Sequence, residues 1–438
     1  MSGSSLRELG LDLLEDGNLE RALGAFAESV KRQPADHRSR MLAARCLEKL
    51  GEAERAVTVL HACAEGLLKR DYLLSAIAAV KRGLTLAPGE KRLHDALHRV
   101  HARAARTAPG RAQVPPPLPP ERLHDEQAQG DLLSLTGSEL SDAAVSVLST
   151  PDSGSQADPA ARPPLPLFAD LELQAFVDLV EQMGYREVKD GELIAAEGVG
   201  GDTIHVVVAG KAEVTRQGKS LAFLGGGSIF GELSLLTGAA PTATVNAVSE
   251  TELFEIRREH LNALARRHPE VPNTLMAFAQ KRMARNLVAT APMFQSVPEG
   301  ERGELLGRFT FKALQPGDKA FIEGEHAAGL YVVLAGELVV QKEDPAGGLV
   351  SLGILREGDI AGEISLMTGL RATATVLATR KTACAFLTRE AFDEVLKQWP
   401  MVRGYLDSLS DRRLKLIGEA MRPAEILDAD ELVVESAE

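Results

Sequence analysis

The chain has 438 residues, 45% of them apolar and 25% charged, and carries a net charge of −13 at pH 7. That length accommodates roughly two to four globular domains, and the negative balance argues against a general binder of nucleic acid or of anionic membranes. Cys46, Cys63 and Cys384 fit neither a disulfide framework nor a zinc site, and no apolar run reaches the roughly 18 residues needed to cross a bilayer. The expectation is therefore a soluble cytoplasmic protein, and the Ala-, Arg- and Gly-rich composition suggests a bacterial one.

From Leu6 to about Ala105 the apolar residues recur with helical periodicity, broken by short Gly- or Pro-marked turns. Gly17-Asn18-Leu19-Glu20-Arg21-Ala22-Leu23 returns as Gly51-Glu52-Ala53-Glu54-Arg55-Ala56-Val57, an offset of 34, with Ala22 and Ala56 where paired helices need close approach. Phe26 and the Pro34-Ala35-Asp36 break suit the same pattern. The stretch resembles tetratricopeptide repeats, and a generic helical bundle is the alternative. A third unit from Asp71-Tyr72 to Ala87-Pro88 begins too soon, so it is fused with the second or degenerate, and Glu90 to Arg103 reads as a capping helix. Either architecture implies a surface for a protein partner. The first 112 residues carry a small positive charge and the remainder a large negative one, so an acidic partner suits this part. His94, His98 and His101 share one side of the last helix with Arg92, Arg99 and Arg103, which reads as a solvated basic face rather than a metal site.

Between residues 106 and 165 the composition turns to Pro, Ala, Ser and Gly, including Val114-Pro115-Pro116-Pro117-Leu118-Pro119-Pro120. Such a stretch buries too little apolar surface to offset its ordering entropy and reads as a disordered Pro-rich linker with local polyproline character. Within it, Asp131 to Leu135 and Leu140 to Leu148 are acidic and apolar enough to dock as a short helix instead.

The C-terminal half is one pattern written twice. Phe230-Gly231-Glu232-Leu233-Ser234-Leu235-Leu236-Thr237-Gly238, leading to Ala243-Thr244-Val245, matches Ala361-Gly362-Glu363-Ile364-Ser365-Leu366-Met367-Thr368-Gly369, leading to Ala374-Thr375-Val376. Gly191, Glu197 and Ala209-Gly210 recur at an offset of 126 as Gly317, Glu323 and Ala335-Gly336, whereas the loops lie 131 apart. About five extra residues therefore belong in the second copy, where Glu343 to Gly348 reads as a longer hairpin turn. Each copy opens on an aromatic-led helix, at Leu167-Phe168 and at Met293-Phe294, and continues in short alternating strands. The expected architecture is multidomain α + β: an all-α helical repeat (1–105), the linker (106–165), two β-roll, or jelly-roll, domains with flanking helices (166–290 and 291–420), and an acidic tail (421–438).

Ile322-Glu323-Gly324-Glu325 through Gly329-Leu330-Tyr331-Val332-Val333-Leu334-Ala335-Gly336-Glu337, then Gly358-Asp359 and the Gly-Glu loop, closely resembles the cyclic-nucleotide-binding domain of catabolite-activator-like regulators and of kinase A regulatory subunits. The resemblance implies that Glu232 and Glu363 accept the ribose 2′-hydroxyl and that the loop N–H groups of Gly231, Leu233, Gly362 and Ile364 hold the cyclic phosphate. Ala243 and Ala374, which begin the following strand, complete the candidate nucleotide-binding residues. An arginine three residues before the Thr-Val pair should fork onto the phosphate, yet Pro241 and Ala372 stand there. Arg371 lies one position early, which on a strand turns it to the opposite face, so it is a candidate for the phosphate only through an irregular turn at Leu370-Arg371-Ala372. Thr242 and Thr373 occupy the place of a hydroxyl near guanine. The resemblance also implies that the helices following each barrel pack across its pocket.

No helix-turn-helix follows the barrels, so DNA binding is not expected. Nothing in the chain assembles a nucleophile, base and metal set, so no enzymatic activity and no cofactor are expected. The reading is a bacterial signalling adaptor with degenerate phosphate sites. The alternative is a genuine receptor for cyclic AMP, cyclic GMP or cyclic di-GMP acting through the second domain on a partner held by the repeats.

Overall fold

The computed structural model describes residues 5–104, 130–150, 168, 170–238, 240–344 and 348–420. It divides into two compact units that part at Phe278 and Ala279, with Thr237–Ala239 grouped with the second. The expected 421–438 tail and most of the 106–165 linker lie outside the described residues.

In the first unit the chain begins with six helices: α1 (Leu6–Glu15), α2 (Leu19–Arg32), α3 (His37–Lys49), α4 (Ala53–Lys69), α5 (Leu73–Leu86) and α6 (Lys91–Ala104). Each packs against the next. The first three starts are set by side chains that satisfy free N–H groups: Ser5 and Glu8 form a reciprocal capping box, and Asn18 and Asp36 accept from the N–H groups of Arg21 and Ser39. Ala22 and Ala56 are fully buried, and Gly10 lets the Phe26 ring pass where a Cβ would sit 2.5 Å from it. Burial alone would raise the Asp36 carboxyl, but the Arg7 guanidinium at 2.7 Å and donors from Ser39 hold it below the ordinary aspartate range.

Three expectations for this region need correction. Residues 130–150 are ordered: a 3₁₀ turn, Asp131–Ser134, and helix α7 (Gly137–Leu148) lie on α2 and α4 with Leu132, Leu140, Ala144 and Leu148 buried. These four apolar side chains supply the burial that the surrounding Pro-rich sequence lacks. The helices also do not form a separate domain, because they share one core with the first barrel. Arg45 pairs with Glu187 at 2.6 Å, Arg38 pairs with Glu250 and Glu252, and Arg82 lies over the Tyr185 ring. Thus an acidic surface of the chain's own barrel meets the basic side of the helices. Finally, the histidine face of α6 is not simply solvated. His94 bonds Glu181 at 2.8 Å, which raises its pKa, and His101 bonds the Leu171 carbonyl at 2.7 Å, while His98 is exposed.

The first barrel follows α8 (Leu173–Gln182). Its strands are β1 (Gly184–Val188), β2 (Leu193–Ala195), β3 (Thr203–Ala209), β4 (Lys211–Arg216), β5 (Lys219–Gly225), β6 (Ile229–Phe230), β7 (Thr244–Ala247) and β8 (Thr251–Arg257), with α9 (Glu232–Thr237) between β6 and β7. They pair antiparallel as β1-β8-β3-β6 and β2-β7-β4-β5. Helices α10 (Arg258–Arg267) and α11 (Val271–Thr290) follow.

The second unit repeats this plan after α12 (Pro292–Gln295) and α13 (Arg302–Leu306). Its strands are β9 (Thr310–Leu314), β10 (Lys319–Phe321), β11 (Gly329–Ala335), β12 (Leu338–Glu343), β13 (Leu349–Leu355), β14 (Ile360–Ala361), β15 (Thr375–Ala378) and β16 (Thr382–Thr388). Helix α14 (Glu363–Thr368) lies between β14 and β15, and α15 (Arg389–Gln398) and α16 (Pro400–Ala420) end the unit. The sheets are β14-β11-β16-β9 and β10-β15-β12-β13, the same order.

The two copies agree in detail. Each inner strand pair carries a bulge, between Val207 and Ala209 and between Val333 and Ala335. The glycine after each bulge has positive φ (Gly210 +88°, Gly336 +100°), and a Cβ there would strike Thr251 or Thr382. The β4–β5 hairpin turns on left-handed Gln217 and Gly218, whereas residues 344–348 join β12 to β13, which is where the second copy's extra residues lie. The three cysteines are free and buried, and burial pushes their thiols up to about 12.

Candidate functional site

In the second barrel the short strand β14 delivers Gly362, whose φ of +96° turns the chain sharply into α14. A Cβ at Gly362 would lie 2.6 Å from both the Gly329 carbonyl and the Phe321 ring, so only glycine fits this approach. The turn places Glu363 inward, 2% exposed, at the edge of a cavity of about 240 Å³. Phe321, Val340, Leu355, Ala361 and Val376 make an apolar floor, and Leu416 and Ile417 of α16 close one side.

Glu363 is neutralised from the C-terminal helix. Arg413 Nη1 donates to Glu363 Oε1 at 2.8 Å and to the Ile360 carbonyl at 2.6 Å. Such a carboxylate tolerates burial only with a charged donor of this kind. Gly362, Glu363, Ile364, Thr373 and Ala374 all line the cavity.

Arg371 does not reach the cavity and leaves the candidate set. Its guanidinium is exposed and donates to the Gly324 carbonyl at 2.7 Å. The reason is local: the Ala372 N–H bonds Glu325 and the Ala372 carbonyl bonds the Gly324 N–H, so strand-like alternation is kept and position 371 faces outward. Thr373 bears on the cavity while its carbonyl accepts from Lys342 at 2.8 Å. Arg413, Leu416 and Ile417, like the residues of the apolar floor, line the cavity beyond the sequence-derived candidates. Arg413 lies 50 positions after Glu363 on a helix with only weak amphipathic spacing, which no local motif marks.

In the first barrel Gly231 (φ +87°) makes the equivalent turn, and Glu232 is 4% exposed. Leu233 and Ala243 are half-buried. Arg216, the counterpart of Lys342, donates to the Thr242 carbonyl at 2.8 Å and to its hydroxyl at 3.2 Å, so Thr242 is engaged in the turn. Pro241 stands at the arginine position and its carbonyl accepts from Gly198.

Beneath the Gly231 turn, His205 is 7% exposed and stacks on Phe230 with centroids 4.8 Å apart. Burial lowers its pKa to about 4, against the opposing pull of Glu255 at 3.9 Å. The unfolded chain takes up this proton near the ordinary value of 6.5, so the stability is fully present above that pH and is lost as pH falls toward 4. The expected cost at pH 5 is about 2 kcal/mol. His205→Phe should flatten this part of a denaturation-versus-pH profile of the first unit, and an unchanged profile would contradict the assignment.

Among the described residues no group of His, Cys, Asp and Glu is arranged to hold a metal, and no helix is long and apolar enough to cross a membrane. The cyclic nucleotide-binding domain profile matches residues 185–268 and 311–398, one segment in each barrel. The chain is 29% identical over 231 residues to the cAMP-dependent protein kinase regulatory subunit of Yarrowia lipolytica, covering 52% of this chain and 58% of that protein. The corresponding protein of Blastocladiella emersonii is 29% identical over 236 residues, covering 52% and 56%. The chain thus spans little more than half the length of these relatives. Among solved structures, the regulatory domain of Toxoplasma gondii kinase A with cAMP aligns at TM-score 0.28 and 23% identity, over 57% of this chain and 92% of that one. The regulatory subunit of a cAMP-independent protein kinase A from Trypanosoma brucei aligns at TM-score 0.30 and 22% identity, over 58% and 91%. Behind its N-terminal helices, this chain therefore carries tandem cyclic-nucleotide-binding domains resembling those of kinase A regulatory subunits.

Proposed function

We propose that the protein is a non-enzymatic signalling regulator in which the first barrel is structural and the second senses a ribose-bearing ligand. The helical region, read as tetratricopeptide-like, holds a protein partner. One observation carries the reading: a buried carboxylate, Glu363, faces an apolar-floored cavity whose expected phosphate cation is replaced by Ala372. The ribose half of a nucleotide site is present, and the phosphate half is weakened. Loss of a bidentate charge-assisted contact worth about 1.5–3 kcal/mol reduces affinity roughly 10- to 150-fold.

A full-receptor reading is favoured by Arg413, the one cation among the cavity-lining residues. A cyclic nucleotide that offers hydroxyls to Glu363 would free Arg413 to meet its phosphate. Calorimetry on the full chain with cyclic AMP, cyclic GMP, cyclic di-GMP and guanosine separates the readings. Weak binding, tens of micromolar or looser, that disappears in Glu363→Ala supports the proposal. Nanomolar cyclic-nucleotide binding supports the receptor, and binding indifferent to Glu363→Ala would refute both.

A further inference from the structure

The face of α2 and α4 is already occupied by a piece of the chain itself, and the fit is specific. Leu140, Ala144 and Leu148, four residues apart on α7, are each no more than 1% exposed, and Leu132 of the preceding turn is 5% exposed. Gly24 of α2 faces this segment. A Cβ there would lie 2.9 Å from the Leu132 carbonyl and 3.6 Å from Leu140, and the nearest atoms it would meet all belong to the segment. A glycine inside a helix costs about 1 kcal/mol relative to alanine, and here the space it leaves is taken by the docked backbone.

Charge is matched as well. Residues 130–150 contain Asp131, Glu139 and Asp142 and no Lys or Arg. Lys31 of α2 meets Asp131 at 3.2 Å, Arg55 of α4 meets Asp142, and Arg40 of α3 donates to the Leu148 carbonyl that ends α7. Ser141 completes the contact by donating to Glu52 at 2.9 Å. A 12-residue helix is marginal alone in water, so its order depends on this face. Residues 105–129 separate the segment from Ala104 in sequence, and tethering raises its local concentration into the millimolar range.

We propose that this face is a binding groove for a short, acidic, amphipathic helix of a partner protein, and that residues 131–148 are its resident ligand in cis, which the partner displaces. The proposal rests on the reading of the helical region as a partner-binding surface and names that partner's chemistry.

The test uses the full chain and a fluorescent peptide of residues 130–150. Leu140→Asp with Leu148→Asp should release the segment and bind the peptide at least about tenfold tighter than wild type, which is held by intramolecular competition. Adding Gly24→Leu should cost at least about tenfold of that gain. Arg55→Asp in the released chain should weaken binding, with recovery by a peptide carrying Asp142→Arg. Gly24→Leu alone should raise hydrogen exchange in residues 131–148 at least about tenfold while α1 to α6 keep their protection. Equal peptide binding by wild type and released chain, or exchange in the segment unaffected by Gly24→Leu, would overturn the proposal. The peptide stands in for the partner's helix: a chain that recruits its partner through another face overturns the proposal, whereas a second barrel that binds no ribose-bearing ligand fails the broader reading and leaves this result standing.

Discussion

Arg413→Met is expected to destabilise the second unit by about 3–5 kcal/mol, because it strands a buried carboxylate whose charged donor is gone. Glu363 is 2% exposed at its side chain and Arg413 is 23% exposed. The asymmetry decides the series. With Arg413 removed, Glu363 stays inside without a countercharge. With Glu363→Gln, the long Arg413 side chain keeps its bond to the Ile360 carbonyl and reaches water, so that variant should cost only about 1 kcal/mol. The double variant, with neither charge buried, should recover most of the loss. Trp399 is the only tryptophan in the chain, is 1% exposed and lies in the second unit. Its fluorescence therefore reports unfolding of that unit alone, with a midpoint shift on the order of 10 °C for Arg413→Met. Equal losses for the two single variants would show that the pair does not control this cavity.

How far the sequence led is clearest at particular residues. The doubled loop was readable because Gly231 and Gly362 are forced by backbone geometry and the offsets of 126 and 131 place each strand. The direction of Arg371 was open in the sequence, because an irregular turn at Leu370-Arg371-Ala372 would have aimed it inward; the paired Ala372 backbone is what turns it out. Arg413 was not readable, because its partner is 50 positions away and the helix that carries it shows only weak amphipathic spacing. The shared core of the helices and the first barrel was hidden for a related reason: Arg38, Arg45 and Arg82 look like a solvated basic surface until Glu187, Glu250 and Glu252 are set opposite them. Composition averaged over residues 106–165 spoke for disorder, and only the local acidic and apolar stretches at Asp131 to Leu135 and Leu140 to Leu148 offered docking as the alternative that Leu132, Leu140, Ala144 and Leu148 realise.

Ala372→Arg should tighten cyclic-nucleotide binding by roughly 10- to 150-fold, the converse of the loss assigned to the missing cation. Position 372 lines the cavity, and its backbone is pinned on both sides, by Glu325 O at 2.7 Å and Gly324 N at 2.9 Å. A new side chain there therefore points inward, whereas Arg371 already spends its guanidinium on Gly324 outside. Arg371→Ala should accordingly change ligand affinity by less than about twofold. The competing fate of an introduced guanidinium is to pair with Glu363 in place of Arg413, which would take the ribose acceptor out of service. Comparing cyclic GMP with guanosine separates these outcomes. A true phosphate clamp improves the cyclic nucleotide and leaves the nucleoside unchanged, so the ratio of the two affinities should rise by the full factor. If both ligands shift together, or if Arg371→Ala matters as much as Ala372→Arg, the phosphate is not held where the loop geometry places it.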